Sequence, residues 1–436
     1  MNIIDIINKK RKNEALQQDE IMYFVTEYTQ KKSITDYQAA ALLMAIVING
    51  MNSDETYFLT KAMLESGKVR DYSKIPGIKI DKHSTGGIGD KVSIILAPIC
   101  AYFGLKVAKM SGRGLGFTGG TIDKLESIGF DFNLKTGEDM QLLKKCGLFI
   151  MSQTADVAPA DGVIYALRNS SGTVESIPLI ASSVVSKKLA LNADYIFLDV
   201  KVGDGAFMKN IGDATILAKT MIDIFTKFNK KTVVHITNMD QPLGRAIGNG
   251  LEIKAAIDFL NGSFECDEIK DLIYTFVSDI LVATKIFKTK KEALSAIDEC
   301  IKNKGAYKKF IEWVTSQKAD IAAINSGKYF APKYNYEIKA NSSGYLSYKK
   351  TEEMGMISLL LGAGRLKKTD PLDYHAGIWL NKIQNESVKK NEVIATLYSS
   401  KPINLDVVSR FLTNVDIKPT KFKATPTILK VLSNIK

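Results

Sequence analysis

Tyr195-Ile196-Phe197-Leu198-Asp199-Val200 decides the architecture. Its apolar residues follow one another without the polar alternation of a half-exposed strand, so it reads as a strand covered on both faces. Lys231-Thr232-Val233-Val234-His235-Ile236 is of the same kind, and Leu105-Lys106-Val107-Ala108-Lys109-Met110 reads as another strand. Helical stretches lie between such runs. Val92-Ser93-Ile94-Ile95-Leu96-Ala97 follows a turn, and a segment rich in small residues runs from Ile180 to Leu191. This alternation predicts an α/β fold with a largely parallel sheet.

Outward from that centre the character changes twice. Residues 1–65 read as a small helical bundle. Its apolar faces begin at Ile3, Ile4, Ile6 and Ile7 and continue through Ile21 to Val25 and Ala39 to Val47. Asn49-Gly50 is a stop signal and Ser53-Asp54 a new start. Ser66 to Gly77 reads as a linker. From about 335 the pattern becomes β-rich, as in Tyr345-Leu346-Ser347-Tyr348 and Val393 to Tyr398.

The 436 residues allow two or three domains, and 45% apolar with 24% charged residues excludes a mainly disordered chain. No apolar run reaches the roughly 18 residues of a membrane span. The beginning has no secretory signal, and the four cysteines are far apart with no C-x-x-C. A soluble protein of the reducing cytoplasm is expected. Net charge is +12, yet only seven of the 59 basic residues are arginine. Spread-out lysines are expected to form a solvated surface rather than a nucleic-acid interface. A positive field also suits a small anionic substrate.

Three stretches carry chemistry. In Asp81-Lys82-His83-Ser84-Thr85-Gly86-Gly87-Ile88-Gly89-Asp90, glycines let backbone N–H groups approach an anion, which lysine and two hydroxyls then complete. Lys109-Met110-Ser111-Gly112-Arg113-Gly114 continues to Thr118-Gly119-Gly120-Thr121. It contains Gly114-x-Gly116-x-x-Gly119, the dinucleotide spacing, but a second glycine loop precedes it and basic and hydroxyl groups crowd it. Two such loops suit one free phosphate held from two sides. In the third, Ser183 and Lys187 stand four apart on one helix face. With Arg168 they offer donors suited to the carbonyl and imide edge of a planar base.

Taken in order, these stretches resemble the pyrimidine-nucleoside and thymidine phosphorylases. The matching pieces include Lys82 to Gly87, Ser111 to Gly116, Thr118 to Ser127, Gln153-Thr154, Ala158-Pro159-Ala160-Asp161 and Ser176 to Ile180. Ser186-Lys187-Lys188, Asp199-Val200-Lys201, Gly205 to Met208, Gln241-Pro242-Leu243-Gly244 and Leu361-Gly362-Ala363-Gly364-Arg365 complete the set.

The resemblance implies the fold of anthranilate phosphoribosyltransferase, a small α domain facing a larger α/β domain across a cleft. The α domain takes 1–66 and 160–193, the α/β domain 72–156 and 195–334, and a β-rich part 335–436. Hinges are implied near 67–78, 154–160 and 190–196, and a homodimer through the α domain. The implied reaction is reversible phosphorolysis of uridine, deoxyuridine and thymidine in nucleoside salvage. Phosphate is co-substrate and no cofactor is used. By the same resemblance Lys82, Ser84, Ser93, Lys109, Ser111 and Thr121 hold phosphate. Arg168, Ser183 and Lys187 hold the base, while Leu115, Tyr165, Ile180, Val184 and Phe207 pack about base and sugar. His83, Arg168 and Lys187 are the catalytic set, with His83 beside the base O2.

Five positions depart from the family pattern. Phe117 replaces a common histidine, Gly162 a basic residue, and Asn169 an aspartate that would orient Arg168. Near Gly89, Lys91, Leu243 and Ala246 some members hold potassium. Here Lys91 and Ala255 stand where a small hydroxyl residue and a glutamate are usual, so independence from potassium is expected. A strict thymidine phosphorylase, a phosphoribosyltransferase using Asp123 and Glu126 for magnesium, and a non-catalytic pyrimidine-binding protein are the alternatives.

Overall fold

Four helices open the chain, α1 Ile3–Arg11, α2 Gln18–Thr29, α3 Asp36–Asn49 and α4 Ser53–Glu65. The computed structural model describes residues 1–30, 33–114, 119–264, 266–367 and 369–435. Capping boxes start α3 at Thr35 with Gln38 and α4 at Asn52 with Glu55. Gly50 ends α3 at φ 68°, a conformation that favours glycine. Glu55 is buried and ties the bundle together. Its carboxylate accepts from Lys10 Nζ at 2.8 Å and from the Leu16 N–H at 2.9 Å.

The larger layer is a sheet of β1 Lys79–Ser84, β2 Lys106–Ser111, β3 Leu148–Ser152, β4 Tyr195–Val202 and β5 Lys231–Asn238. These five are parallel in the order 5-4-1-2-3. β4 is buried along its whole length, as its unbroken apolar run predicts. The chain moves from β1 to β2 to β3, then returns to the other side of β1. The reversal opens a crevice at the carboxyl ends of β1 and β4. Helices α5 Val92–Tyr102, α6 Thr121–Glu126, α7 Glu138–Lys145, α10 Ile211–Lys227, α11 Asn249–Leu260 and α12 Asp267–Ala283 belong to this layer.

Between β3 and β4 the chain leaves the sheet for α8 Pro159–Ser171 and α9 Ile177–Ala190. Ala160 and Ile164 of α8 and Leu179 of α9 complete the core of the first four helices, with Phe24, Leu42 and Leu59. Helix α9 also faces a second core. Ala181, Val185 and Leu189 pack with Ile196 of β4 and Leu217 and Phe225 of α10. The strands joining the two layers run side by side. Lys68 N–H donates to Asp156 O, Arg70 N–H to Ala190 O, and Asp194 N–H to Lys79 O.

Two expectations need correction. The segment from 335 does not stay together. Ile428–Ser433 pairs antiparallel with β5, and Ala246–Ile247 from the α/β part joins the four-stranded C-terminal sheet. An uncovered β5 edge would leave a row of N–H and C=O groups unpaired, and the late strand satisfies them. Nor are the lysines all solvated. Lys10, Lys82, Lys91, Lys109, Lys124, Lys188 and Lys201 are buried. Among the described residues no helix is long and apolar enough to cross a membrane.

Candidate active site

Strand alternation sorts the first motif. Lys82 and Ser84 share one face of β1 with Lys109 and Ser111 of β2, while Asp81 and His83 project to the other, toward α9. On the first face the β1 glycine loop enters α5, with Ser93 in its first turn, and the β2 loop enters α6 at Thr121. The N-termini of α5 and α6 therefore both border the crevice. Ser84 Oγ donates to Asp90 Oδ2 at 2.5 Å and accepts from Gly86 N–H at 3.2 Å. Ser93 is buried, and Ser84, Ser111 and Thr121 are half-buried.

Beneath these hydroxyls lies a buried charge network. Asp199 Oδ2 meets Lys82 Nζ at 3.2 Å and Lys201 Nζ at 2.8 Å, and Oδ1 accepts from Thr237 Oγ1 at 2.6 Å. Lys124 pairs with Glu252 at 2.8 Å and donates to Asp90 O at 2.7 Å. Burial alone would lift the Asp90 carboxyl, but Lys82, Lys201, Lys124 and the Ser84 hydroxyl hold it well below the carboxylate range. Lys109 donates to Lys82 O at 2.5 Å. Burial first, and then Lys188 and Lys82, push its ammonium down to about 7.

The residues expected to hold the base lie on α8 and α9. Lys187 Nζ, four residues on from Ser183, reaches its Oγ at 2.9 Å and Asp161 Oδ2 at 2.6 Å. Arg168 is buried, and three of its five N–H donors are committed: Nε to Thr173 O, Nη1 to Leu179 O and Nη2 to Val174 O. These carbonyls orient the guanidinium, whereas Asn169 is exposed and Gly162 faces open space. The Tyr165 ring lies 5.6 Å from the Arg168 guanidinium carbon and 5.9 Å from Lys187 Nζ. Tyr165 and Phe207 are exposed, and Ile180 and Val184 half-buried. Leu115 and Phe117 lie outside the described residues.

His83 borders both sides. Burial, and then Lys188, Lys109, Lys187 and Lys82, hold its pKa well below the usual 6.5, although its ring still touches the cleft. At neutral pH it is an uncharged imidazole with one N–H to donate. Burial and the surrounding ammonium groups thus favour the form that can donate a hydrogen bond over the one that carries a proton to give away.

Asp161, Asp81 and Lys188 gained no role from the sequence, yet they hold the walls together. Lys188 pairs with Asp81 Oδ2 at 3.0 Å and donates to Met110 O at 3.0 Å, joining α9 to β1 and β2. A charged residue within a buried strand was the one available signal. Lys91 is buried as well. Its Nζ donates to Leu243 O at 2.7 Å and Gly89 O at 3.1 Å. Ammonium protons thus sit on carbonyls that a monovalent cation would use, so these residues do not fit a bound potassium ion. Asp123 and Glu126 are engaged by Arg113, and Asp123 also by Arg365. Arginine-saturated carboxylates make poor magnesium ligands.

The chain matches the helical bundle domain of the glycosyl transferase family over residues 4–67 and its a/b domain over 77–307. It matches the pyrimidine nucleoside phosphorylase C-terminal domain over 345–418. Thymidine phosphorylase of Mycoplasmoides pirum is 48% identical over 412 residues, 94% of this chain and 98% of that protein. Pyrimidine-nucleoside phosphorylase of Geobacillus stearothermophilus is 42% identical over 431 residues, 98% of this chain and 99% of that protein. Among solved structures, anthranilate phosphoribosyltransferase of Thermus thermophilus superposes with a TM-score of 0.57 at 18% identity, over 72% of this chain and 99% of that one. That likeness concerns the fold. The near full-length identity to the first two goes further, and with it the chain belongs to the family of pyrimidine-nucleoside and thymidine phosphorylases.

Proposed function

We propose that this chain catalyses reversible phosphorolysis of pyrimidine nucleosides, yielding free base and an α-pentose 1-phosphate. The observation that carries the reading is a two-walled cleft. A lysine- and hydroxyl-lined sheet edge faces Arg168, Ser183 and Lys187, with His83 between. Hydrogen phosphate forms its bond to C1′ as the C1′–N1 bond breaks. The bonding pair goes to the base, and the phosphate proton ends there. The departing base gathers negative charge, so donors on its oxygens act most strongly in the transition state. Lys187 supplies a charge held by Asp161, Arg168 two uncommitted N–H groups, and His83 a neutral N–H at O2. Phosphate is the co-substrate, and the groups named act without a cofactor.

A homodimer through the α domain is part of this reading. α3 exposes Tyr37, Met44 and Ile48 and α1 exposes Ile4, an apolar strip that a second copy would cover. Ile48→Glu is expected to shift sedimentation from dimer to monomer. An unchanged dimer places the interface elsewhere. The cytoplasm remains the expected compartment, in keeping with four cysteines far apart in sequence and no C-x-x-C.

Uridine, deoxyuridine and thymidine should release base only when phosphate is present. Cytidine should turn over at least ~10²-fold more slowly, because its amine meets the third Lys187 proton where a carbonyl should accept it. Base release without phosphate, or cytidine turnover equal to uridine, rejects the reading.

His83→Ala is expected to lower kcat about 10²-fold, the scale of one oxyanion donor, with little change in the phosphate KM. With three histidines in the chain, proton NMR isolates the ring directly. In phosphate-free enzyme the His83 signal, assigned with His83→Asn, should show no titration between pH 6 and 8. A midpoint at 6.5 or above would show that the surrounding ammonium groups do not depress it.

Lys91 is read as the built-in replacement for a monovalent cation. Activity in tetramethylammonium buffer should therefore be unchanged by added potassium, and Lys91→Ser should make it potassium-dependent. Strong activation of the parent enzyme by potassium refutes the replacement.

A further inference from the structure

The glycine loop between β2 and α6 is held from outside the α/β domain. Asp123, buried in the first turn of α6, accepts the Gly114 N–H through Oδ2 at 2.6 Å. Its other oxygen receives Arg365 Nη1 at 2.6 Å and Arg113 Nη1 at 3.2 Å. The two arginines are not alike: the Arg365 side chain is 11% exposed and that of Arg113 50%. Arg365 is also fixed behind, its Nε donating to Asp370 O at 3.2 Å. The Asp370 carboxylate turns the segment by accepting from the Leu366 and Lys367 N–H groups. From the other side Asn249 Nδ2 of α11 donates to Ala363 O at 2.8 Å. Tyr374 adds a second strut, its hydroxyl donating to Glu126 Oε2 at 3.1 Å, and Glu126 grips both arms of Arg113. Gly120 packs so closely on Arg113 and Gly114 that any Cβ there would overlap the Gly114 nitrogen.

Ser111 ends β2 three residues before Gly114, and Thr121 opens α6 two residues before Asp123, so the Gly114–Asp123 contact bears on the distance between them. We propose that Arg365 is a positioning residue for phosphate: by fixing the Asp123 carboxylate it holds the Gly114 backbone, and with it the spacing of Ser111 and Thr121. Arg365 acts on the reaction through this half-buried side chain, with Tyr374 as the second strut. The inference rests on reading Ser111 and Thr121 as phosphate ligands. It adds a residue far along the chain, remote from the reacting atoms, that tunes affinity for one of the two substrates only. A mobile loop stem costs affinity because binding must then order it.

The test is steady-state kinetics of Arg365→Met in the full-length enzyme, titrating phosphate and uridine separately. The phosphate KM should rise about 10-fold while the uridine KM and the melting temperature stay near those of the parent. Arg365→Lys, which keeps the charge, should recover most of the loss and serves as the variant to read if the methionine fails to fold. Asp123→Asn should raise the phosphate KM too, and the double variant should be no worse than the worse single one, since both cut one relay. Arg410→Met, removing an exposed Arg410–Glu353 pair in the same C-terminal part, is the control and should change neither constant. An unchanged phosphate KM in a folded Arg365→Met overturns the proposal, as does an equal rise in both KM values with a lowered melting temperature. Ser111→Ala and Thr121→Ala separate the two levels. If neither alters the phosphate KM, the ligand reading fails; if both do while Arg365→Met does not, only the relay fails.

Discussion

Buried ammonium groups at the carboxyl edge of the sheet must be neutralised where they stand, and most of the architecture serves that demand. Taking a charge out of water costs several kcal/mol unless a counter-charge and hydrogen bonds meet it. Asp199 meets Lys82 and Lys201 together, Glu252 meets Lys124, and Asp81 meets Lys188. Lys109 has a carbonyl for its hydrogen-bond partner, not a carboxylate, and is the ammonium whose pKa falls to about 7. With Asp90 the carboxylates number four against five ammonium groups, so the cluster lacks one negative charge, which on the proposed reading phosphate supplies. Structural neutralisation and substrate attraction are here the same arithmetic.

How much of this was legible in the chain depended on range. Strands and helices whose apolar pattern is local, such as β4 and α3, stood out because burial imposes a period on consecutive residues. The glycine loops and the Ser183–Lys187 face were visible for the same reason, all their chemistry lying within a few residues. Asp161 was not, because its partner Lys187 lies 26 residues away on another helix. Lys82 was legible as a cation but not as one already shared with Asp199, 117 residues on. Arg168 read as a pyrimidine ligand by resemblance. That three of its donors are fixed by carbonyls needed the fold of residues 173–179. The closing strand, Ile428–Ser433, is six residues long with a single charge at Lys430, and its pattern does not say which sheet it joins.

Helix α9 resolves a geometric conflict. On the proposed reading, base donors sit on the small domain and phosphate donors on the large one, yet both must meet at one carbon atom. Helix α9, which gives Leu179 to one core and Ala181, Val185 and Leu189 to the other, carries both Ser183 and Lys187. Lys188, the next residue, bolts it to β1 and β2. On the proposed reading, adjacent lysines on one helix thus serve substrate and scaffold.

The pairing of Ile428–Ser433 with β5 also has a consequence for how the protein is made. Thr232 is bonded to Asn434 across 202 residues of sequence. During synthesis at roughly 5–20 residues per second, β5 emerges many seconds before the strand that covers it. Throughout that interval the sheet offers a free edge to any neighbouring chain. The first four helices wait in the same way, for Ala160, Ile164 and Leu179 of a later segment. Crowded polysomes, rather than the finished enzyme, are where this topology is most exposed to misassembly.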